Sequence, residues 1–291
     1  MAGAAGSQFD RREPVGLLAC AGRFPILFAE KARECGIPVV CLGVSGMADP
    51  VLRDICPEFR WLRRLSLGAA IRTFRRGGVH RWTMAGTFHK HQAFHPLRLL
   101  HFLPDWRMLR FWFFRRRRAN NDDSILTGLI AELQAFDLEC VSALDLCPEL
   151  LVREGVLTRR QPTAAERQDI DIGWTLAREM GRLDVGQSVM IRERAVLAVE
   201  AIEGTDRAIL RAGDLCGRGS FVVVKVAKPE QDMRFDVPTV GVQTIESMRD
   251  AGARVLAIEA GRTILIDEAE TIALADRLGI AIVSRRESEA A

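Results

Sequence analysis

The chain has 291 residues, 48% of them hydrophobic and 27% charged, and a formal net charge of +3. That length admits two modest domains, and that balance belongs to a folded globular protein rather than a disordered one. No apolar run approaches the roughly 20 residues needed to span a bilayer. The N-terminal stretch also lacks the apolar core of a secretory signal, so the expected location is cytoplasmic. The seven cysteines are odd in number and form no Cys-x-x-Cys pair, which predicts buried reduced thiols rather than a disulfide framework. Charge is unevenly spread. Residues 53–118 carry 16 arginines or lysines against three acids, and acids exceed bases over the remainder. One part of the chain suits anionic partners; the other can supply carboxylates.

In chain order, residues 15–21 read as a buried strand, Gly22 to Pro25 as a turn, 26–35 as a helix ended by Gly36, and 37–42 as a second strand. Strand, short turn, helix, strand is the opening of a parallel α/β sheet. A helix over 67–76, closed by Gly77 and Gly78, leads to a strand over 79–85. Residues 97–118 are basic and aromatic, and Pro104 divides them into shorter pieces. A helix is predicted over 122–136, with Leu126, Leu129, Ile130 and Leu133 on one face, and a polar linker over 158–163. Next come a helix over 164–181 and a hairpin of 189–191 with 196–199. A helix over 205–212 precedes an apolar strand over 221–226. Helix 244–251, strands 255–258 and 263–266, helix 268–278 and strand 281–283 complete the chain. The expected fold is α/β in two domains: residues 14–157 with a Rossmann-like parallel sheet, and residues 164–285 as a mixed α/β unit.

Several segments carry candidate chemistry. The stretch 228–241, KPEQDMRFDVPTVG, follows the apolar strand and has two prolines, no helical period, and Asp232, Arg234 and Asp236 at alternating positions. A charged loop leaving a buried strand is where α/β proteins place reactive groups, although composition alone favours a Pro-bounded surface connection with solvated charges. The turn at Gly22 and Pro25 leads from a strand into a helix and reads either as a site where backbone N–H groups and a helix N-terminus meet an anion or as an ordinary βα turn. It is not a dinucleotide-binding glycine pattern. In the Glu203-Gly204-Thr205-Asp206 turn, Thr205 or Glu203 could cap the following helix. Asp122 and Asp123 open a helix, where capping is the simpler role. All five histidines lie between His80 and His101. His89 and His91 have the spacing of a metal pair, but no structural-zinc pattern surrounds them. The basic, aromatic segment 98–118 suits an anionic membrane surface or, equally, a domain-interface helix with a basic exposed edge; no nucleic-acid module accompanies it.

The 228–241 stretch resembles the signature of the LpxI-type UDP-2,3-diacylglucosamine pyrophosphatases of lipid A biosynthesis. Further matches are residues 181–187 (GRLDVGQ), 198–206 (AVEAIEGTD) and 259–262 (EAGR), in step with the family over nearly the whole chain. The first turn has Cys20 and Ala21 where the family carries a richer glycine run. The resemblance implies hydrolysis of UDP-2,3-diacylglucosamine to UMP and 2,3-diacylglucosamine 1-phosphate, with water attacking the sugar-side phosphorus. It implies Mg²⁺ or another divalent metal as cofactor. Asp236 falls at the family's catalytic aspartate and is the expected metal ligand or water-orienting group, supported by Asp206 and Arg234. Gly22, Pro25, Asp122, Asp123, Gln187, Thr205, Lys228 and Thr239 are the expected substrate-binding residues. The expected partner is a lipid-linked UDP-sugar, with peripheral association at the inner membrane and a homodimer left open, and no nucleic acid. Two other classes stay open: a non-catalytic nucleotide-sugar-binding protein, and a polyanion-binding module at the membrane surface.

Overall fold

The computed structural model describes residues 9, 12–62, 66–87, 122–217, 219–229 and 231–286, with backbone alone at 122–125. The segment 98–118 and His89, His91, His95 and His101 lie outside the described residues. The chain divides into two compact units between Pro148 and Glu149.

In the first unit, the strands are β1 (Val15–Ala19), β2 (Val39–Val44), β3 (Glu58–Leu62), β4 (Arg81–Ala85) and β5 (Glu139–Cys140). The helices are α1 (Phe24–Glu34), α2 (Leu52–Ile55), α3 (Leu67–Arg76) and α4 (Asp122–Gln134). The five strands form one parallel sheet in the order β3-β2-β1-β4-β5. β2 is buried at every position and β1 at four of five, as expected of strands covered on both faces. Trp82 of β4 is fully buried and its indole N–H donates to the Leu138 carbonyl at 3.2 Å, which settles its one polar atom. The strand order reverses between β1 and β4, so the crevice beyond their carboxyl ends is a topological switch point, where such sheets bind ligands.

The second unit holds β6 (Gly155–Val156), α5 (Ala164–Arg182), β7 (Ser188–Arg192), β8 (Ala195–Val199), α6 (Thr205–Leu215), β9 (Val222–Lys225), β10 (Thr239–Val240), α7 (Val242–Ala251), β11 (Val255–Glu259), β12 (Ile264–Leu265), α8 (Glu268–Leu278) and β13 (Ala281–Arg285). Six strands form a mixed sheet, β6-β13-β11-β9-β7-β8, parallel through β13, β11 and β9 and antiparallel elsewhere. β10 and β12 pair separately in parallel.

Side chains alternate across a strand, and the two apolar cores divide accordingly. Val189, Ile191, Val222, Val224, Val255 and Ala257 pack with Ile170, Trp174 and Ala177 of α5. Met190, Ala198, Val223, Leu256 and Ile258 pack with Ile209 of α6, Ile245 and Met248 of α7, and Ala275 of α8. The unit is thus a three-layer sandwich. The same period assigns the polar residues at the strand ends: Ser188, Glu200 and Lys225 to the α6/α7 face, and Glu259 to the α5 face.

The division at Pro148 precedes the polar linker expected over 158–163, which belongs to the second unit. β6 pairs with β13, and the Thr158 hydroxyl accepts the Ile282 N–H at 2.9 Å. Backbone pairing here outweighs a polar composition. The β7–β8 hairpin turns on Glu193 and Arg194, both with positive φ, and their N–H groups donate to the Asp169 carboxylate at 3.0 and 2.7 Å. That carboxylate stabilises a turn whose residues lack the usual Asn-Gly preference. Helix α5 starts on a reciprocal capping box between Thr163 and Glu166.

Candidate active site

The carboxyl ends of β8 and β9, the amino end of β7 and the N-termini of α6 and α7 share one edge of the second sheet, because β7 runs against both neighbours. On the α6/α7 face of that edge lies a buried polar network. Lys225 ends the apolar run of β9 and is 6% exposed. Its ammonium donates to the Thr205 hydroxyl at 3.1 Å and the Thr239 carbonyl at 2.9 Å. The Thr205 hydroxyl in turn bonds one Glu200 oxygen at 3.0 Å and meets the Ser188 hydroxyl at 3.3 Å. Thr205 has one proton; given to Glu200, it leaves Ser188 as the donor in the second contact.

Glu200 is held there by a backbone constraint. A Cβ on Gly186 would lie 2.1 Å from the Glu200 carbonyl oxygen, so only glycine permits this approach of the β7 entry to the β8 exit. Burial pushes the Asp206 carboxyl above its ordinary value, against the pull of the Lys225 ammonium and a Thr244 hydrogen bond, while the Glu200 charge adds to the rise. The simpler reading of this turn as a side-chain cap does not hold. The N-cap of α6 is Gly204, Thr205 is its first helical residue, and Glu203 pairs instead with Arg211 at 2.6 Å.

The signature loop is pinned at both ends. At its start, the Ala227 N–H donates to Glu259 at 2.8 Å, and Arg262 donates to the Lys228 carbonyl at 3.3 Å. Glu259, 3% exposed, also meets Arg178 at 3.3 Å and Arg262 at 3.5 Å. The Lys228 ammonium pairs with the Asp184 carboxylate. At its end, the Pro238 carbonyl accepts Ile264 N–H at 2.8 Å, and the Thr239 carbonyl accepts Lys225. Between these pins, Asp232 accepts two contacts from Arg234 Nε and a 2.6 Å bond from its Nη2, which holds the Asp232 carboxyl below its ordinary value. The Asp236 N–H donates to the Asp232 carbonyl at 3.0 Å. The Asp236 carboxylate is half-buried and makes no hydrogen bond or ion pair to the described residues. It stands three residues before the carbonyl bound by Lys225.

Of the sequence candidates in this unit, Thr205, Asp206 and Thr239 therefore meet around Lys225. Asp236 and Arg234 lie on the pinned loop, and Lys228 sits at its entrance. The Gln187 carbonyl accepts the Val226 N–H at 3.0 Å at the root of that loop, and its side-chain oxygen is buried without a hydrogen bond. In the first unit, Gly22 follows β1 with φ +98° and Pro25 is buried at the first turn of α1. Both lie beyond the carboxyl end of β1, at the switch point. The Ala21 N–H is not open to a ligand there, since it donates to Thr87 at 3.1 Å. Burial pushes the Cys20 thiol up to about 12, so this replacement behaves as an apolar group. Asp122 and Asp123 begin α4.

Three residues of the site escaped sequence reasoning: Lys225, Glu200 and Glu259. Each had a signal, a charged residue ending an otherwise apolar strand in VVVK, AVLAVE and VLAIE.

Among the described residues no three His, Cys, Asp or Glu side chains form a cluster fit for a metal ion. A divalent cation is still compatible with the acids present. Mg²⁺ uses one or two carboxylates and completes its shell with water and substrate phosphate. Glu200 and Asp206 each keep one buried oxygen without a hydrogen bond, and both are hard donors.

A Rossmann-like parallel sheet in one unit, and in the other a mixed sheet with carboxylates and a buried lysine at one end, define a two-domain α/β protein. The chain belongs to the LpxI family: the LpxI N-terminal domain matches residues 14–150 and the LpxI C-terminal domain residues 153–283. It is 32% identical over 286 residues to the UDP-2,3-diacylglucosamine pyrophosphatase LpxI of Caulobacter vibrioides, covering 92% of this chain and 96% of that protein.

Proposed function

We propose that the chain hydrolyses the pyrophosphate bond of UDP-2,3-diacylglucosamine, giving UMP and 2,3-diacylglucosamine 1-phosphate for lipid A biosynthesis. The observation that carries the reading is the pinned loop, which holds the Asp236 carboxylate without a hydrogen bond or ion pair to the described residues and runs on to Thr239, whose carbonyl takes the buried Lys225 ammonium at the end of the sheet where two helices begin. Helix N-termini and a desolvated lysine stabilise phosphate charge, and an oriented carboxylate can direct and deprotonate water.

In the proposed step, the oxygen of water bonds to the sugar-side phosphorus as its proton passes to the Asp236 carboxylate. The bond from that phosphorus to the bridging oxygen breaks, and UMP leaves with that oxygen and the electron pair. Lys225 and the α6 and α7 N-termini offset the charge that gathers on the phosphates. Arg234 is held by Asp232 and supplies positive charge from the loop. Lys228, Gln187, Thr205 and Thr239 support the substrate's phosphates in the second unit; in the first unit, the Gly22 turn with Pro25 is a candidate anion-binding turn of its own. A divalent cation, bound through this chain's carboxylates, would neutralise phosphate oxygens. Hydrolysis in ¹⁸O-water, with both products weighed by mass spectrometry, tests this: label in the sugar phosphate and none in UMP is expected. Label in UMP refutes the site of attack, and absence of both products refutes the activity.

The substrate's acyl chains imply work near a lipid surface. On α3, exposed Arg72, Arg75 and Arg76 flank Ile71 and Phe136 along a groove of about 350 Å³, which suits anionic headgroups. No helix among the described residues is long and apolar enough to cross a membrane. Flotation with anionic liposomes at low and high salt tests peripheral binding; equal flotation with neutral liposomes argues against it.

A further inference from the structure

The sequence pattern directs attention to Asp236 as the metal ligand, but the buried chemistry lies elsewhere. Glu200 is 8% exposed, and its side chain divides its two oxygens sharply. One takes the Thr205 hydroxyl at 3.0 Å; the other is inaccessible to solvent and has no hydrogen bond. Asp206 repeats the pattern, with one oxygen inaccessible and unbonded and Thr244 on the side chain. A buried carboxylate oxygen without a donor is costly unless something positive meets it. Lys225 reaches Asp206 through its field alone, and that pull does not offset the burial of the carboxyl. Its ammonium is directed to Thr205 and Thr239, and it forms no ion pair with either carboxylate among the described residues.

The charges count the same way. Counted by formal charge, two carboxylates and one ammonium leave the network one negative charge. A divalent cation turns that to one positive charge, which a phosphate group can meet. Thr205 holds the frame, because its single hydroxyl links Glu200 to Lys225 and so fixes the bonded oxygen of Glu200. The unbonded oxygens belong to a strand end and to a helix first turn that share the same sheet edge.

We infer that Glu200 and Asp206 form a divalent-cation site, framed by Thr205 and Lys225 and distinct from Asp236. The inference deepens the pyrophosphatase reading and rests on it for the use to which the cation is put. It assigns Asp236 to water and leaves cation binding to the network beneath.

The test is binding of Mn²⁺ alone to the full-length protein, followed by loss of the free-ion paramagnetic resonance signal and by competition with Mg²⁺. The variants are Glu200→Gln, Asp206→Asn and Asp236→Asn, each close in size to the original, with circular dichroism and thermal melting as checks on folding. One saturable site is expected in the wild type, weakened at least about tenfold by Glu200→Gln and by Asp206→Asn, and unchanged by Asp236→Asn. Millimolar Mn²⁺ left free by wild type would overturn the inference. So would folded Glu200→Gln and Asp206→Asn proteins that bind as wild type does, or a loss seen only with Asp236→Asn. UMP release is read separately. Mn²⁺ bound at these acids without turnover keeps the site and removes the pyrophosphatase reading; turnover without Mn²⁺ at these acids does the reverse.

Discussion

Replacing Glu259 by alanine should be among the most damaging single changes in the second unit, although Glu259 carries no reacting atom in the proposed step. The side chain is 3% exposed and serves three donors: the Ala227 N–H at 2.8 Å, Arg178 at 3.3 Å and Arg262 at 3.5 Å. Alanine leaves an amide and two partly buried guanidinium groups without this carboxylate. Breaking a buried ion pair from one side costs about 3–5 kcal/mol, because the surviving charge keeps its desolvation penalty. At roughly 2–4 °C per kcal/mol for a protein of this size, the melting midpoint should fall on the order of 10 °C. Glu259→Gln keeps an acceptor for Ala227 and loses only the charge, so it should fall less. Hydrogen exchange adds a local readout: the Ala227 amide should exchange faster in the alanine variant, and UMP release should drop as the loop loses its anchor. A midpoint within about 1 °C of wild type, with Ala227 still protected, would show that Glu259 does not anchor the loop.

Other outcomes follow from the same geometry. Gly186→Ala should destabilise the protein by roughly 1–3 kcal/mol in urea unfolding, since its Cβ would meet backbone oxygen; an unchanged midpoint would show that the hairpin shifts freely. Thr163→Ala should cost about 1 kcal/mol through loss of the α5 cap. Burial raises the Glu166 carboxyl, yet the Arg160 guanidinium and Thr163 backbone N–H outweigh it and hold the pKa below its ordinary 4.5. The stability Glu166 contributes is therefore present above its unfolded value and lost as pH falls through the lower folded value. The gap between wild type and Glu166→Ala in urea midpoint should close in acid, and a gap that widens would contradict the pairing. Iodoacetamide at neutral pH should label half-exposed Cys35 and Cys216 before any buried thiol; rapid labelling of Cys20 would show the first turn to be open.

Much of this fold was legible because its strands are covered on both faces. Apolar runs bounded by glycine located β1, β2, β9, β11 and β13, and the order of strand and helix gave the parallel sheet. β3 was not legible: its EFRWL alternates charged and aromatic residues, which reads as surface until β2 is known to pair with it. β5 and β6, two residues each, are defined only by their partners. The candidate site divided similarly. Motif residues such as Asp206, Thr205 and Asp236 could be named from the sequence. Lys225, Glu200 and Glu259 could not be ranked, because a charge at the end of an apolar strand becomes informative only when its neighbours across the sheet edge are known. The capping reading of residues 203–206 failed because the Thr205 hydroxyl is committed to Glu200 and Lys225, a tertiary contact that no local rule describes.

If Asp236 directs water in a pyrophosphatase centre, its loss must show in the rate of UMP release from UDP-2,3-diacylglucosamine, with Mg²⁺ present, by purified wild type beside Asp236→Ala, both confirmed folded by thermal melting. Turnover by wild type and its loss, by at least about a thousandfold (on the order of 4 kcal/mol of barrier), in the variant is the predicted result. Folded wild type that releases no UMP would rule out the activity, and an Asp236→Ala protein that releases it at the wild-type rate would rule out Asp236 as the water-directing group.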